Sequence, residues 1–308
     1  MASPLAEAEV VRVRASGKVN LTLRSGPRRP DGYHQLATLF QSVSMYDDLD
    51  VRWAPPGQIS VSVTGDQAAL VPTGETNLAV RAARLLAQEY GAAGLGCTME
   101  LRKTIPVTGG MAGGSADAAA ALLACSVLWD LDVSPDDLLD LGAKLGADVP
   151  FCLTGGTAMG TGRGDRLAPV LTRGTYQWVL ALSEGELSTP EVFRRFDELR
   201  PSGNAELEVP AEVLNALISG DAAALGRCLH NDLQEAAVSL RPELGRVLQT
   251  GLELGALGAM VSGSGPTVAF LVPDERVGLD LSVGLASEGL GRVVRRVHGP
   301  VPGARLIA

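Results

Sequence analysis

Apolar and polar residues alternate along the first part of the chain, which is the pattern of strands with one buried face. Glu9–Ser25 predicts a strand, a short irregular link and a second strand. The turn residues Asp31 and Gly32 then precede a third apolar run. Two more strands are predicted for DDLDVRWAP and GQISVSVTG, so the N-terminal region is expected to be rich in strands.

Helical spacing of apolar residues first occurs in Thr76–Gly91. The segment GCTMELRKTIPV predicts a strand, and SPDDLLDLGAKLGADVP predicts another helix. Ser134 is expected to cap the start of that helix and Gly146 to end it.

The second half of the chain mixes strand and helix patterns. It predicts a glycine-turned hairpin in FCLTGGTAMGTGRGDRLAPV, strands in YQWVLAL, AMVSGSGPTVAFLV and GRVVRRVHGP, and helices around Pro190–Leu199, Ala211–Leu217, Ala222–Leu233 and Pro242–Leu254. The mixture is typical of an α+β protein. The stretch Pro169–Gly174 predicts a boundary between an N-terminal domain at residues 9–168 and a C-terminal domain at residues 169–308.

Composition narrows the classes of function. The chain has 308 residues, of which 46% are hydrophobic, enough for two modest domains with packed cores. The net charge of −9 argues against a nucleic-acid partner. No apolar run is long enough for a membrane span, and the start of the chain lacks the features of a signal peptide. The four cysteines form no paired motif, which favours reduced thiols, no zinc site and a cytoplasmic protein without a membrane partner.

The segment Pro106–Leu123 carries the clearest chemistry. Four glycines fall within six positions, directly before an alanine-rich helical run. Backbone N–H groups at a helix start are unpaired, and glycines let an anion approach them, so this segment predicts a phosphate site. It lacks the Walker lysine, since Ser115 stands there, and Ala112 breaks the Rossmann pattern. The alternative is a flexible loop that lets the helix pack closely.

Two other glycine clusters are less specific. GTAMGTGRG favours a hairpin turn. Ser262–Thr267 joins two apolar runs and could be either a tight turn or a second surface of backbone donors.

Lysine is rare in this chain. Among 26 basic residues the lysines are Lys18, Lys103 and Lys144. Where arginine normally supplies positive charge, a lysine that is kept suggests a need for a compact point charge. Chance placement is an equal alternative for Lys103 and Lys144.

Three segments in order, SGKVNLTL, PVTGGMAGGSADAA and VSGSGPTVAF, resemble the three motifs of the GHMP small-molecule kinases. Further segments, among them DGYH and LGADVPF, are similar to the branch that phosphorylates a cytidine-diphosphate sugar alcohol in non-mevalonate isoprenoid synthesis. The homoserine and mevalonate branches are the alternatives. Met111 stands where leucine is usual, Ala112 replaces a glycine, and Thr108 replaces a glycine or alanine.

The resemblance implies a two-domain GHMP kinase fold. The N-terminal domain would be of the ribosomal S5 domain 2-like type and the C-terminal domain ferredoxin-like, with the active site in the cleft between them. It also implies ATP and Mg²⁺ as cofactors, small-molecule substrates, and a monomer or weak homodimer. The protein ligand of the magnesium ion stays open: Ser115 is one candidate, and coordination mainly by phosphates and water is the alternative.

The resemblance gives roles to two ionisable residues. Asp148 would be the general base, although a lone aspartate there is otherwise typical of a turn or helix cap. Lys18 would lie beside it and stabilise the forming alkoxide, the alternative being a solvated lysine at a strand end. Asn20, on the same strand face as Lys18, would hydrogen-bond the substrate.

The remaining implied residues divide between the two substrates. Tyr33 and His34 would bind the cytidine, with Thr189 and Phe193 of STPEVF opposite; core packing is the alternative for Phe193. Asn77 would contact adenine, with helix capping as a rival. The residues implied to hold the ATP phosphates are Pro106, Thr108, Gly109, Gly110, Met111, Ala112, Gly113, Gly114 and Ser115.

Overall fold

The computed structural model describes residues 10–91, 94–183, 185–203 and 207–308, which form two β-sheets and the helices packed on them. The strands are β1 (Val11–Arg28), β2 (His34–Ala54), β3 (Ile59–Gly65), β4 (Gly96–Lys103), β5 (Thr157–Gly162), β6 (Arg166–Pro169), β7 (Tyr176–Leu182), β8 (His230–Asn231), β9 (Gly258–Val261), β10 (Val268–Val272), β11 (Val293–Gly299) and β12 (Arg305–Leu306). The helices are α1 (Leu78–Glu89), α2 (Gly113–Leu128), α3 (Pro135–Leu145), α4 (Val149–Thr154), α5 (Thr189–Leu199), α6 (Ala211–Ser219), α7 (Ala222–Cys228), α8 (Gln234–Leu240), α9 (Glu243–Glu253) and α10 (Glu275–Ser287).

The first sheet has eight strands within the described residues and is built around β1 and β2. Its main path runs β12-β1-β2-β4-β3, while β5 pairs with β2, β6 with β5, and β8 with β1. The strands β8 and β12 come from the C-terminal part of the chain. They therefore tie that part to the N-terminal sheet.

The predicted link inside the first strand is wrong. The strand β1 is continuous and stays paired with β2, with register shifts between Ser16 and Gly17 and between Asn20 and Thr22. A β-bulge inserts a residue and changes which side chains face the core, so the alternation breaks although pairing continues. The third apolar run and DDLDVRWAP, predicted as separate strands, are likewise one long strand, β2, while GQISVSVTG forms β3 as predicted.

The helix α2 fixes the position of the glycine segment. Most of its residues are buried, and the helix packs on α1, β1 and β2. The buried residues include all six of its alanines, Ala116, Ala118, Ala119, Ala120, Ala121 and Ala124. Small side chains let the helix lie close to its neighbours, which explains an apolar sequence without an amphipathic stripe. The start of the helix is thereby held rigidly at the sheet.

The second sheet has the order β11-β7-β10-β9 and is antiparallel throughout. Alternate residues of β7 enter different cores: Trp178 and Leu180 join the core of the first sheet, while Val179 and Ala181 face α5, α8, α9 and α10. Both faces are covered, which explains the unbroken apolar run of YQWVLAL.

Most predicted helices are confirmed, including α1 and α3, and α3 carries the complete Ser134–Asp137 capping box. The hairpin β5–β6 is confirmed, but FCLT is helical and belongs to α4. The helix expected over Ala222–Leu233 ends at Cys228, because His230–Asn231 pairs with β1 instead. The helices α8 and α10 were not predicted, and glycines inside α10 weaken its helical pattern.

The chain passes from the first sheet to the second between Pro169 and Tyr176, within the predicted boundary stretch. The division into domains at residues 168 and 169 stays a prediction. All four cysteines are free thiols. Within the described ranges, no helix combines the length and hydropathy that a membrane span requires.

Candidate active site

The loop between β4 and α2 has a backbone shaped by its glycines. Gly110 has a φ of 74°, and a Cβ there would lie 2.0 Å from the carbonyl oxygen of Ser262. Only glycine fits this position. Thr108 and Ala112 also have positive φ values, of 52° and 60°. Two of the three departures from the family pattern, Thr108 and Ala112, thus fall where left-handed backbone favours glycine.

The start of α2 is open to an anion. Its N-cap residue, Ala112, has no side chain that could accept a hydrogen bond, and the first turn contains no acidic residue. Gly114 is exposed there and Ser115 is half-buried. The N–H groups of the first turn and the positive end of the helix dipole are therefore available to a negatively charged ligand.

Two neighbouring segments hold this glycine loop in place. The N–H of Lys18 donates to the carbonyl of Met111 at 3.2 Å, which joins the loop to β1. The hydroxyl of Ser262 donates to the carbonyl of Gly110 at 3.1 Å. The segment Ser262–Thr267 is a tight turn between β9 and β10, closed by a bond from Gly265 N–H to Ser262. The same segment, Ser262–Thr267, forms one wall of the candidate site.

Lys18 is buried beside the glycine loop, with 4% of its surface exposed. Its Nζ donates to Asn20 Oδ1 at 2.8 Å and lies 3.9 Å from Asp148 Oδ2. The amide of Asn20 in turn donates to Thr38 Oγ1 at 2.8 Å. This network fixes the direction of the ammonium and leaves it facing one carboxylate.

Asp148 does not act as a helix cap. It precedes α4 directly, but its side chain makes no capping hydrogen bond, and 34% of that side chain is exposed. Four residues later, the Cys152 thiol donates to the carbonyl of Ala112 at 3.9 Å, so α4 packs under the glycine loop. A free carboxylate beside a buried ammonium can accept a proton from a hydroxyl group placed between them.

An aromatic cluster, formed by Tyr33, His34 and Phe193, lies near the turn between β1 and β2. The ring of His34 stacks on Phe193 with centroids 4.6 Å apart, and its Nε2 lies 2.7 Å from Asp197 Oδ1. Phe193 is only partly buried, so it both packs against the core and presents a surface. Tyr33 is 51% exposed, and the guanidinium of Arg163 lies 4.0 Å from its ring centroid. The structure brings His34 and Phe193 together, and it places Tyr33, the residue before His34, under Arg163.

Thr189 and Asn77 have defined partners. Thr189 Oγ1 lies 2.9 Å from Ser264 Oγ, which connects the start of α5 to the wall formed by Ser262–Thr267. Asn77 caps α1, since its Oδ1 accepts from the N–H groups of Ala79 and Val80. The side chain is 3% exposed, so the geometry gives Asn77 the capping role, and a contact with adenine stays a prediction.

Two residues that complete the site were not expected from the sequence. The amide of Asn231 donates to the carbonyls of Val261 and Gly263, at 2.8 and 2.7 Å, and so holds the wall segment. Gly263 in turn approaches Lys18, whose Nζ would lie 3.3 Å from a Cβ there. The three polar residues His230–Asp232 interrupt an otherwise helical pattern, and this interruption was the signal that could have pointed to Asn231. No sequence signal pointed to Arg163, because an arginine in a hairpin turn is common.

No cluster of three or more histidine, cysteine, aspartate or glutamate side chains suited to a metal ion occurs among the residues that the structure describes. The donors around the glycine loop are backbone N–H groups and one ammonium. Such a set fits a phosphate chain, which can itself carry a divalent ion.

The sequence of this chain matches models of a known family and a known relative over most of its length. The family descriptions "GHMP kinases N terminal domain" and "GHMP kinases C terminal" match residues 77–156 and 213–281. The 4-diphosphocytidyl-2-C-methyl-D-erythritol kinase of Nocardia farcinica is 53% identical over 298 residues, covering 96% of each chain.

Solved structures agree with that sequence similarity. A crystal structure of a 4-(cytidine 5'-diphospho)-2C-methyl-D-erythritol kinase matches with a TM-score of 0.75 and 34% identity, covering 93% of this chain and 98% of the other. The homoserine kinase of Cytophaga hutchinsonii matches with a TM-score of 0.77 at 17% identity, covering 100% and 99% of the two chains. The second likeness concerns the fold alone.

Proposed function

Since the chain belongs to the 4-diphosphocytidyl-2-C-methyl-D-erythritol kinases, a branch of the GHMP kinases, we propose that its site carries out their reaction. The γ-phosphoryl group of ATP passes to the 2-hydroxyl of 4-diphosphocytidyl-2-C-methyl-D-erythritol. The products are the 2-phosphate and ADP, in non-mevalonate isoprenoid precursor synthesis. The observation that carries the proposal is the 3.9 Å approach of Lys18 to a carboxylate of Asp148 that has no capping partner.

In this reaction Asp148 is the general base. It accepts the proton of the 2-hydroxyl as the hydroxyl oxygen forms its bond to the γ-phosphorus. The bond from that phosphorus to the β,γ-bridging oxygen breaks, and ADP leaves with the electron pair. Lys18 stabilises the negative charge that develops on the attacking oxygen. Asn20 orients the ammonium through its 2.8 Å hydrogen bond. In this proposal it also hydrogen-bonds the substrate.

The glycine loop holds the ATP phosphates. Its contacts come from the backbone, so Thr108, Met111 and Ala112 take part without a polar side-chain role. The residues of the loop in this proposal are Pro106, Thr108, Gly109, Gly110, Met111, Ala112, Gly113, Gly114 and Ser115. Magnesium bound to the phosphates would supply charge neutralisation in such a transfer. No protein ligand is assigned to it here.

The aromatic cluster binds the cytidine in this proposal. Tyr33 offers a ring face to the pyrimidine, and His34 offers a hydrogen bond to its edge. Phe193 forms the opposite surface, and Thr189 lies where α5 meets the wall of the phosphate site. The 51% exposure of Tyr33 supports this role, because a buried ring could not stack on a ligand.

The runner-up is a kinase acting on homoserine or mevalonate. ADP release by the purified protein with ATP and each of the three acceptors separates these functions. The proposal predicts release with the cytidine substrate alone. Turnover of homoserine without turnover of the cytidine substrate would overturn it. The same preparation, measured by light scattering, tests the expectation of a monomer or weak homodimer.

A further inference from the structure

Beneath the glycine loop lies a buried cluster of three ionisable side chains that the proposed reaction does not use. The ammonium of Lys103 donates to Asp47 Oδ2 and, at 2.8 Å, to Asp117 Oδ2. Each of the three side chains is at most 5% exposed. They come from three elements, β2, β4 and α2. The cluster therefore joins the sheet to the helix that follows the loop.

The cluster touches both ends of the glycine loop. Asp47 Oδ1 accepts from the N–H groups of Thr104 and Ile105, at 2.6 and 2.9 Å, where the chain leaves β4. Asp117 stands early in α2, where the chain leaves the loop. Lys103 Nζ itself would lie 3.2 Å from a Cβ on Gly113, the first residue of that helix. One ammonium thus sets the distance between the loop's entry and its exit.

The charge arrangement is costly, which makes a purely structural role a poor explanation. Burial alone lowers the pKa of Lys103, but the neighbouring acidic groups of Asp117 and Asp47 outweigh burial and leave that pKa raised, so the ammonium stays charged. Oδ1 of Asp117 is buried without a hydrogen-bond partner. An ion cluster with an unsatisfied oxygen is weak support for stability, because apolar side chains of similar volume stabilise a core as well.

We propose that Lys103 is a positioning residue of the phosphoryl transfer: through Asp47 and Asp117 it holds the glycine loop at the spacing that ATP requires. This rests on the proposed function, since it places the ATP phosphates on the loop. Lys103 is 4% exposed and does not reach the substrates; it acts through the backbone of residues 104, 105 and 113. Misplacement of such a loop by about 1 Å costs on the order of 100-fold in rate.

The test uses the double variant Lys103→Met/Asp117→Asn, which removes the ammonium together with the carboxylate that would otherwise lose its partner. Lys144→Met is the matched control, because Lys144 is an exposed lysine paired with Glu89 outside the site. We expect kcat/KM for ATP to fall about 100-fold in the double variant, with KM for the cytidine substrate unchanged. The control is expected to behave like the parent protein.

A folded double variant with parental ATP kinetics would overturn the proposal. Equal rises in KM for both substrates, together with a lowered melting temperature, would also overturn it. If the double variant does not fold, Asp47→Asn carries the test. It keeps Oδ1 for the two backbone N–H groups but breaks the tie to Lys103, so KM for ATP must rise. Unchanged ATP kinetics in Asp47→Asn would likewise refute the role of Lys103.

Direct titration with a non-hydrolysable ATP analogue separates this proposal from the assigned reaction. If the parent binds the analogue but does not phosphorylate the cytidine substrate, the proposed function fails. The positioning role is then still judged by whether the variant binds the analogue more weakly than the parent. Equal binding in that comparison would reject it.

Discussion

The ammonium of Lys18 lies 3.9 Å from the carboxylate of Asp148, although the two residues belong to β1 and to the start of α4. The glycine loop joins them, since Lys18 N–H donates to Met111 and Cys152 of α4 donates to Ala112. Acid–base chemistry and phosphate binding therefore share one rigid frame. A hydroxyl group between the two charges would face the N-terminus of α2.

The ring of Tyr33 is predicted to carry much of the affinity for the cytidine. Replacement by alanine removes one stacking surface, worth about 1–3 kcal/mol per base, so KM for the cytidine substrate should rise roughly 10- to 100-fold. KM for ATP should change far less. Steady-state kinetics with each substrate varied in turn measures both. Tyr33→Phe is the control that keeps the ring, and equal effects on the two KM values would remove the stacking role.

Ala112 is predicted to strain the glycine loop. A left-handed alanine costs about 1–2 kcal/mol, while glycine gains about 0.4–1 kcal/mol of unfolded-state freedom, so Ala112→Gly should stabilise by about 1 kcal/mol. Ala116→Gly, inside α2, is the matched control and should destabilise by about 1 kcal/mol. Urea unfolding measures both. Destabilisation by both substitutions would show that the backbone at Ala112 is not strained.

Asp117 is predicted to make stability depend on pH. Burial is the main cause that raises its pKa to about 8, so the folded protein keeps a proton that the unfolded chain, with a pKa of about 3.9, releases. The folded state binds more protons between these values. The free energy of unfolding that this group contributes is therefore fully present below pH 4 and is lost as the pH rises through about 8.

Asp117→Asn removes this titration. Urea unfolding at pH 6 and pH 8.5 should show a loss of stability in the parent that is smaller in the variant. Parallel losses in the two proteins would mean that Asp117 is already ionised at pH 6.

The sequence predicts secondary structure well where the apolar residues keep one helical spacing throughout, as in α1 and α3. The prediction fails where pairing between strands overrides the local pattern of apolar and polar residues. The bulges of β1 look like a break in the strand, and His230–Asn231 leaves a helical pattern because β1 offers it a partner. In both places the deciding contact is distant in the chain, so no local window contains it.

The candidate site shows the same division. Resemblance draws attention to Lys18 and Asp148, and the glycines of the loop follow from the need for backbone donors. The role of Lys103 could not be foreseen, because its meaning comes from two carboxylates on other elements. Asn231 acts through the carbonyls of a turn that only the fold brings near.

Asp148→Asn tests the central claim most directly. The substitution keeps the size of the side chain and removes the base, so kcat should fall by about 10²–10⁴, the usual contribution of a general base. Binding of ATP, titrated directly, should stay close to that of the parent because the glycine loop is untouched. ADP release in the presence of the cytidine substrate, measured for both proteins, gives the answer. Near-parental turnover by the variant would contradict the assignment of Asp148 as the base.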